Sequence, residues 1–229
     1  MDMLPDDLYI VSSCSISKQV VLKDGKTAFA DKPGSLSSFL LTAYYHFGIQ
    51  YPKYLRMDNM SKLGLLATEV LLKDSFHPAA YRPEEVGVVL SNSSASLDTD
   101  LRYYDTVSQM ASPSLFVYTL PNIVIGEICI RNNFKGENAF FIFDHFDAEF
   151  TRNYVTGLLN NGQLRFCICG WVEVLAEKYQ AVLYLVEKKN SGAQAEPSSL
   201  PAEVKDAAIG SAILFTTENI LKIFHPQHG

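Results

Sequence analysis

The sequence predicts an α/β fold, and three observations carry that expectation. Val86-Gly87-Val88-Val89-Leu90 is a short apolar run of the kind that forms a strand covered on both faces. Met60, Leu63, Ala67, Val70 and Leu71 keep helical spacing behind Asp58, a side chain suited to accept hydrogen bonds from the N–H groups of a first turn. Strand-like and helix-like runs alternate along 229 residues that are 48% hydrophobic, enough for one substantial core, so residues 1–229 read as a single domain.

Taken in order, Leu8 to Ile16 alternates and carries β-formers, giving a first strand that contains Ser12-Ser13-Cys14-Ser15. Asp31-Lys32-Pro33-Gly34 is turn chemistry, and Leu36 to Phe47 follows as a helix. After the helix behind Asp58 and the strand Val86 to Leu90, Ser91 to Ser96 forms a small polar loop. Leu97 to Ser108 reads as a helix, with the pair Tyr103-Tyr104 half in the core and half on the surface. A strand from Ala139 to Phe143, a helix from about Phe146, a closing turn at Asn161-Gly162 and a strand from Leu164 to Cys169 come next. Ala181 to Glu187 and Ala208 to Thr217 read as the last strands, separated by residues 188–206, which are a flexible loop by composition. Residues 218–229 read as a tail.

Composition excludes several classes. The net charge of −6 without a basic stripe gives no footprint for nucleic acid. The first residues are acidic and broken by Pro5, unlike a secretory signal, and the apolar stretch Phe39 to Ile49 is too short to span a bilayer. Four cysteines without Cys-x-x-Cys spacing fit neither a zinc site nor a disulfide framework, so a reducing, cytoplasmic setting is expected, with no metal and no cofactor. Cys167 and Cys169 alternate with Phe166 and Ile168 on a buried strand, and Cys14 and Cys129 lie in apolar surroundings, so all four read as small hydrophobes.

The middle of the chain is its most informative part. Ser112-Pro113, Leu120-Pro121-Asn122, Ile130-Arg131 and Lys135-Gly136-Glu137-Asn138 precede the strand at Ala139, and Gly170-Trp171-Val172-Glu173 follows the one ending at Cys169. This ordered set resembles the segment around the catalytic cysteine of the β-ketoacyl synthase family, with Glu137 where the family has proline. Arg56-Met57-Asp58 and Ala208 to Phe215 add weaker likenesses, and the resemblance runs from about Leu8 to Thr217. It implies a thiolase-like half-domain, the N-terminal half of a ketosynthase, with a mixed five-stranded sheet flanked by helices.

Along that frame the nucleophile position falls on His145, within Asp144-His145-Phe146-Asp147-Ala148. Condensation needs a thiolate, and an imidazole flanked by Asp144 and Asp147 favours its cationic, non-nucleophilic form. His145 is therefore read as a plug or a contact residue. The family's second half supplies two catalytic histidines, which His225 and His228 in the tail do not replace. The resemblance thus points to a pseudoenzyme like the chain-length factors of type II fatty-acid and polyketide assembly, close in kind to stand-alone proteins of bacterial aryl-polyene or flexirubin-type pigment synthesis. The helix that a second half covers is expected to show an apolar patch, and the implied partner is a full-length ketosynthase or a second copy. Pairing is implied along Ala139 to Phe143, where Phe140, Phe141 and Phe143 mark either an edge that needs covering or an interior strand with aromatic packing. An acyl carrier protein, itself acidic, would need a local patch such as Lys53, Arg56 and Lys62. Two alternatives stay open: a thioester hydrolase or acyltransferase using His145 with Asp144 or Asp147, and a carrier-docking scaffold without catalysis.

Overall fold

The computed structural model describes residues 8–189 and 212–225. Among these residues eight strands form one sheet: β1 (Leu8–Ser17), β2 (Val20–Lys23), β3 (Lys26–Ala30), β4 (Val86–Asn92), β5 (Asn138–Ile142), β6 (Phe166–Leu175), β7 (Lys178–Lys188) and β8 (Ile213–Leu214). They are ordered β3-β2-β1-β7-β6-β4-β5, and β8 pairs with the start of β1. β4 is parallel to β5 and β6, whereas β7 runs antiparallel to its neighbours β6 and β1. The expected five strands are the run β1-β7-β6-β4-β5. The hairpin β2–β3 and the short β8 extend that sheet.

Every residue of β4 is buried, which accords with its unbroken run of apolar and small side chains. On β6, Phe166, Ile168, Val172 and Val174 face one core while Cys167, Cys169 and Trp171 face the other. β1 departs from this rule of two. Leu8 and Ile10 enter one core, yet Cys14 and Ile16, at the same parity, enter the other. A bulge between Ile10 and Ser12 shifts the register against β7 and turns the second half of the strand over. β6 also runs on through Gly170 to Leu175 instead of ending at Cys169. Gly170 makes this possible because its φ of 145° and its close approach to the Val182 carbonyl leave no room for a Cβ.

Helices α1 (Leu36–His46), α2 (Asn59–Leu72) and α5 (Ile123–Asn132) belong to one face of the sheet. α2 is the centre of that layer. Asp58 caps it by accepting from Ser61 N at 3.0 Å, and no residue of the helix is exposed. Gly64 lets α5 approach closely, since a Cβ there would overlap Val124 Cγ2. Helices α3 (Leu97–Val107) and α4 (Pro113–Phe116) lie between β4 and α5 in the chain. On the opposite face lie α6 (Ala148–Asn160) and α7 (Thr217–Phe224).

The last third of the chain corrects the sequence reading most. Of the strand expected at 208–217, residues 208–211 lie outside the described residues, Ile213–Leu214 form β8, and Thr217 begins a helix. The tail expected from residue 218 is therefore helical as far as Phe224, with Thr216 as its cap, accepting from Asn219 N at 3.2 Å. Residues 190–206 of the expected loop, and His228, fall outside the described residues. No helix among the described residues is long and apolar enough to cross a membrane.

Candidate functional site

β5 ends the sheet on its side, so among the described strands it is an edge and the interior reading is set aside. Val88 N donates to Glu137 O at 3.1 Å and Phe143 N to Asn92 O at 3.0 Å. By strand alternation, residues 138, 140 and 142 then turn their backbone N–H and C=O groups away from β4, toward the open side. Phe140 packs against the first core. Phe141 and Phe143 stack with ring centroids 5.9 Å apart and meet Phe150 of α6 at 4.8 and 5.0 Å. Ile142 is 47% exposed.

The turn from β5 into α6 carries the candidate residues. Asp144 and His145 are both exposed, and no hydrogen bond or ion pair joins His145 to Asp144 or Asp147. His145 is thus not a plug: an exposed imidazole fills nothing. The side chain that fills the ground beneath the turn is the next one along. Phe146 is buried, stacked on Phe224 of α7 at 4.4 Å and edge-on to Trp171 at 6.1 Å. Asp147 caps α6, its Oδ1 accepting from Phe150 N at 2.8 Å. A carboxylate there already satisfies the positive end of the helix, the feature that would otherwise stabilise a thiolate or a developing oxyanion. The Asp144–His145–Asp147 set lies together in the chain but is not assembled as an acid–base group.

No other thiol substitutes. Cys14, Cys167 and Cys169 are fully buried, and burial pushes all three thiols up, that of Cys167 to about 12. Cys129 is half-buried and is pushed up to about 11 by the same cause. The loop after β4 is equally committed. Ser93 N, Ser93 Oγ and Ser94 N all donate to Glu173 Oε2, at 2.7, 2.9 and 3.2 Å. Asn92 accepts from Ala95 N at 3.0 Å and donates to Ala95 O at 2.8 Å. These N–H groups hold the loop and are not free to hold a ligand. The clamp by Glu173 escapes sequence reading because it joins the end of β6 to a loop 80 residues earlier.

The three basic residues expected to form a docking patch have different fates. Lys53 Nζ lies 2.8 Å from Oε2 of buried Glu127, whose Oε1 accepts from Tyr118 OH at 3.1 Å, so the Lys53 charge is matched from within. Arg56 is exposed. Lys62 is half-buried, and desolvation, with Arg102 nearby, holds its pKa below the usual lysine value. Among the described residues no group of three or more His, Cys, Asp or Glu is placed to hold a metal.

No family model matches the sequence, and no curated protein matches it. Solved structures do match its fold. The ishigamide ketosynthase/chain length factor superposes with a TM-score of 0.57 at 15% identity, covering 82% of this chain and 63% of that one. A ketosynthase in complex with its chain length factor from Xenorhabdus doucetiae gives 0.52 at 14%, covering 82% and 81%. A type II polyketide synthase acyl-carrier protein in complex with its ketosynthase gives 0.55 at 13%, covering 81% and 64%. The fold is that of the ketosynthases. At these identities the likeness establishes the fold alone, and this chain spans under two thirds of the length of the first and third of these structures. α6 presents Glu149, Asn153 and Asn160 to solvent and α2 is enclosed, so neither shows the apolar patch expected of a helix stripped of a second half. Exposed apolar side chains gather instead on α3 and α4, among them Leu101, Tyr104 and Phe116.

Proposed function

We propose that this chain is a non-condensing, ketosynthase-like accessory subunit of type II fatty-acid or polyketide assembly, acting as chain-length factors do. One observation supports the reading: the turn from β5 into α6, where the resemblance expects the nucleophile, carries no thiol. The turn holds an exposed His145, a buried Phe146 and a capping Asp147, and the cysteines are buried or half-buried elsewhere. Two of the similar structures are described by name as a ketosynthase with a chain length factor, which supports the same reading. The implied partner is a full-length ketosynthase, with an acyl carrier protein delivered to the pair, and the pairing edge we assign is β5, with Phe140, Phe141 and Phe143 beside it.

Co-expression with a full-length ketosynthase, followed by light scattering and analysis of product chain length, tests this. The expected result is a stable heteromer whose product lengths differ from those of the ketosynthase alone. Ile142→Pro removes an outward N–H of β5 without taking a donor from the β4 ladder, and is expected to abolish the heteromer in a folded protein. Failure of every ketosynthase tried to associate, with unchanged products, sinks the reading. Thioester turnover by this chain that disappears in His145→Ala would replace it with the hydrolytic one.

A further inference from the structure

The Lys53–Glu127 pair joins a surface cation to an interior carboxylate, the two side chains being 45% and 5% exposed. Glu127 lies on α5 beside Val124 and Ile128, which are buried in the first core. Its Oε1 accepts from the Tyr118 hydroxyl. Its Oε2 is enclosed and, among the described residues, no hydroxyl or amide reaches it; the Lys53 ammonium at 2.8 Å is what compensates it. A charge enclosed in this way cannot fall back on water, so it holds its counter-ion more firmly than a surface carboxylate does. Lys53 is thus committed inward, although the short 3-10 helix Pro52–Arg56 brings it to the surface.

We propose that Glu127 silences this surface toward acidic partners: it neutralises Lys53, so that a carrier protein is not held on a subunit without a nucleophile to receive its acyl group. The inference rests on the accessory-subunit reading. An acidic protein is drawn to a surface by the cations it finds free there. Of the three in the expected patch, Lys53 is matched from beneath and Lys62 is half-buried. Arg56 is exposed, and no ion pair claims it among the described residues. On a chain of net charge −6, that leaves little to attract a carrier. Because Glu127 is interior, it acts without touching the partner: it sets the charge that the partner meets. Exchanging its carboxylate for an amide keeps an acceptor for Tyr118 and returns the Lys53 charge to the surface.

Fluorescence anisotropy of a labelled apo acyl carrier protein, titrated with the full chain at low ionic strength, tests this. Glu127→Gln is expected to bind at least about threefold more tightly than the wild type, with the gain lost at high salt. Glu149→Gln, an exposed change of the same charge on α6, is expected to gain less than about 1.5-fold. The double variant Lys53→Gln/Glu127→Gln is expected to return to wild-type affinity. Melting temperature should fall in Lys53→Gln, which leaves Oε2 uncompensated, and recover in the double variant. Labelling with acetic anhydride, read by mass spectrometry, follows the pair itself. Lys53 should react more slowly than exposed Lys178 in the wild type and at a similar rate in Glu127→Gln. The proposal is overturned by a wild type that binds as tightly as Glu127→Gln, by binding in neither protein, by a gain that survives loss of Lys53, or by an equal gain from Glu149→Gln. The titrations use the chain without a ketosynthase, so they can fail while the heteromer and its altered product lengths stand. A missing heteromer beside an intact Glu127→Gln gain instead sinks the accessory reading and keeps the silencing.

Discussion

Asp58 is a carboxylate held at 3% exposure, tied to Ser61 N and to Thr99 Oγ1. Those hydrogen bonds favour its charge, but burial outweighs them and pushes its pKa up. Removing the side chain in Asp58→Ala should lower stability in urea melts by about 1–2 kcal/mol, through the lost cap and the orphaned Thr99 hydroxyl. Asp58→Asn keeps an acceptor for Ser61 N and should cost under ~1 kcal/mol. A raised folded-state pKa means the native state holds the proton more tightly than the unfolded chain. This group's contribution is therefore greatest below the ordinary carboxylate range and declines as pH rises through the folded value. The stability difference between wild type and Asp58→Asn should accordingly be largest in acid and shrink toward neutrality; a difference that widens with pH contradicts the assignment. Asp58 was legible as a cap because one aspartate precedes a clean helical period. Asp147 was not, because Asp144 offers a second register and the frame places the helix start near Phe146.

Between elements, α2 and α5 touch through Gly64. Alanine at that position gains about 1 kcal/mol of intrinsic helix preference, but the overlap with Val124 should outweigh it, leaving Gly64→Ala destabilised by roughly 1–3 kcal/mol in urea melts. In a Val124→Ala background the same substitution should become neutral or favourable, which separates crowding from any defect of the helix itself. Elements defined by local signals were readable in the sequence: α1 by the turn chemistry before it, α2 by period and cap, β4 by its apolar run. The hairpin was harder. Asp24 and Gly25, at φ 50° and 74°, form the kind of tight turn that Asp-Gly favours, but β2 and β3 are short and mostly half-exposed, so their alternation is weak. At the other end of the chain, the β-branched residues near Thr216 read as more strand, and only packing of Ile220 and Phe224 on the sheet decides for a helix.

At the scale of the whole molecule, the burial of the cysteines makes a chemical prediction. A thiol reagent at mildly alkaline pH should modify at most Cys129 in the native protein and all four cysteines once it is unfolded. A fast-reacting native thiol would show that the reading of an inert interior is wrong. The frame around the candidate turn was legible because it is local in sequence, whereas the cage around Phe146 was not, since Trp171, Tyr184 and Phe224 arrive from three later elements. The same long reach governs β1. Its Leu8 pairs with Lys188 and its Tyr9 with both Glu187 and Leu214, so among the described strands the earliest in the chain is completed by the latest. On a ribosome adding about 5–20 residues per second, that strand would wait on the order of 10–40 s for its neighbours. During that interval the nascent chain is a natural client for chaperones, and any message cut short before β7 would encode a product that cannot close its sheet.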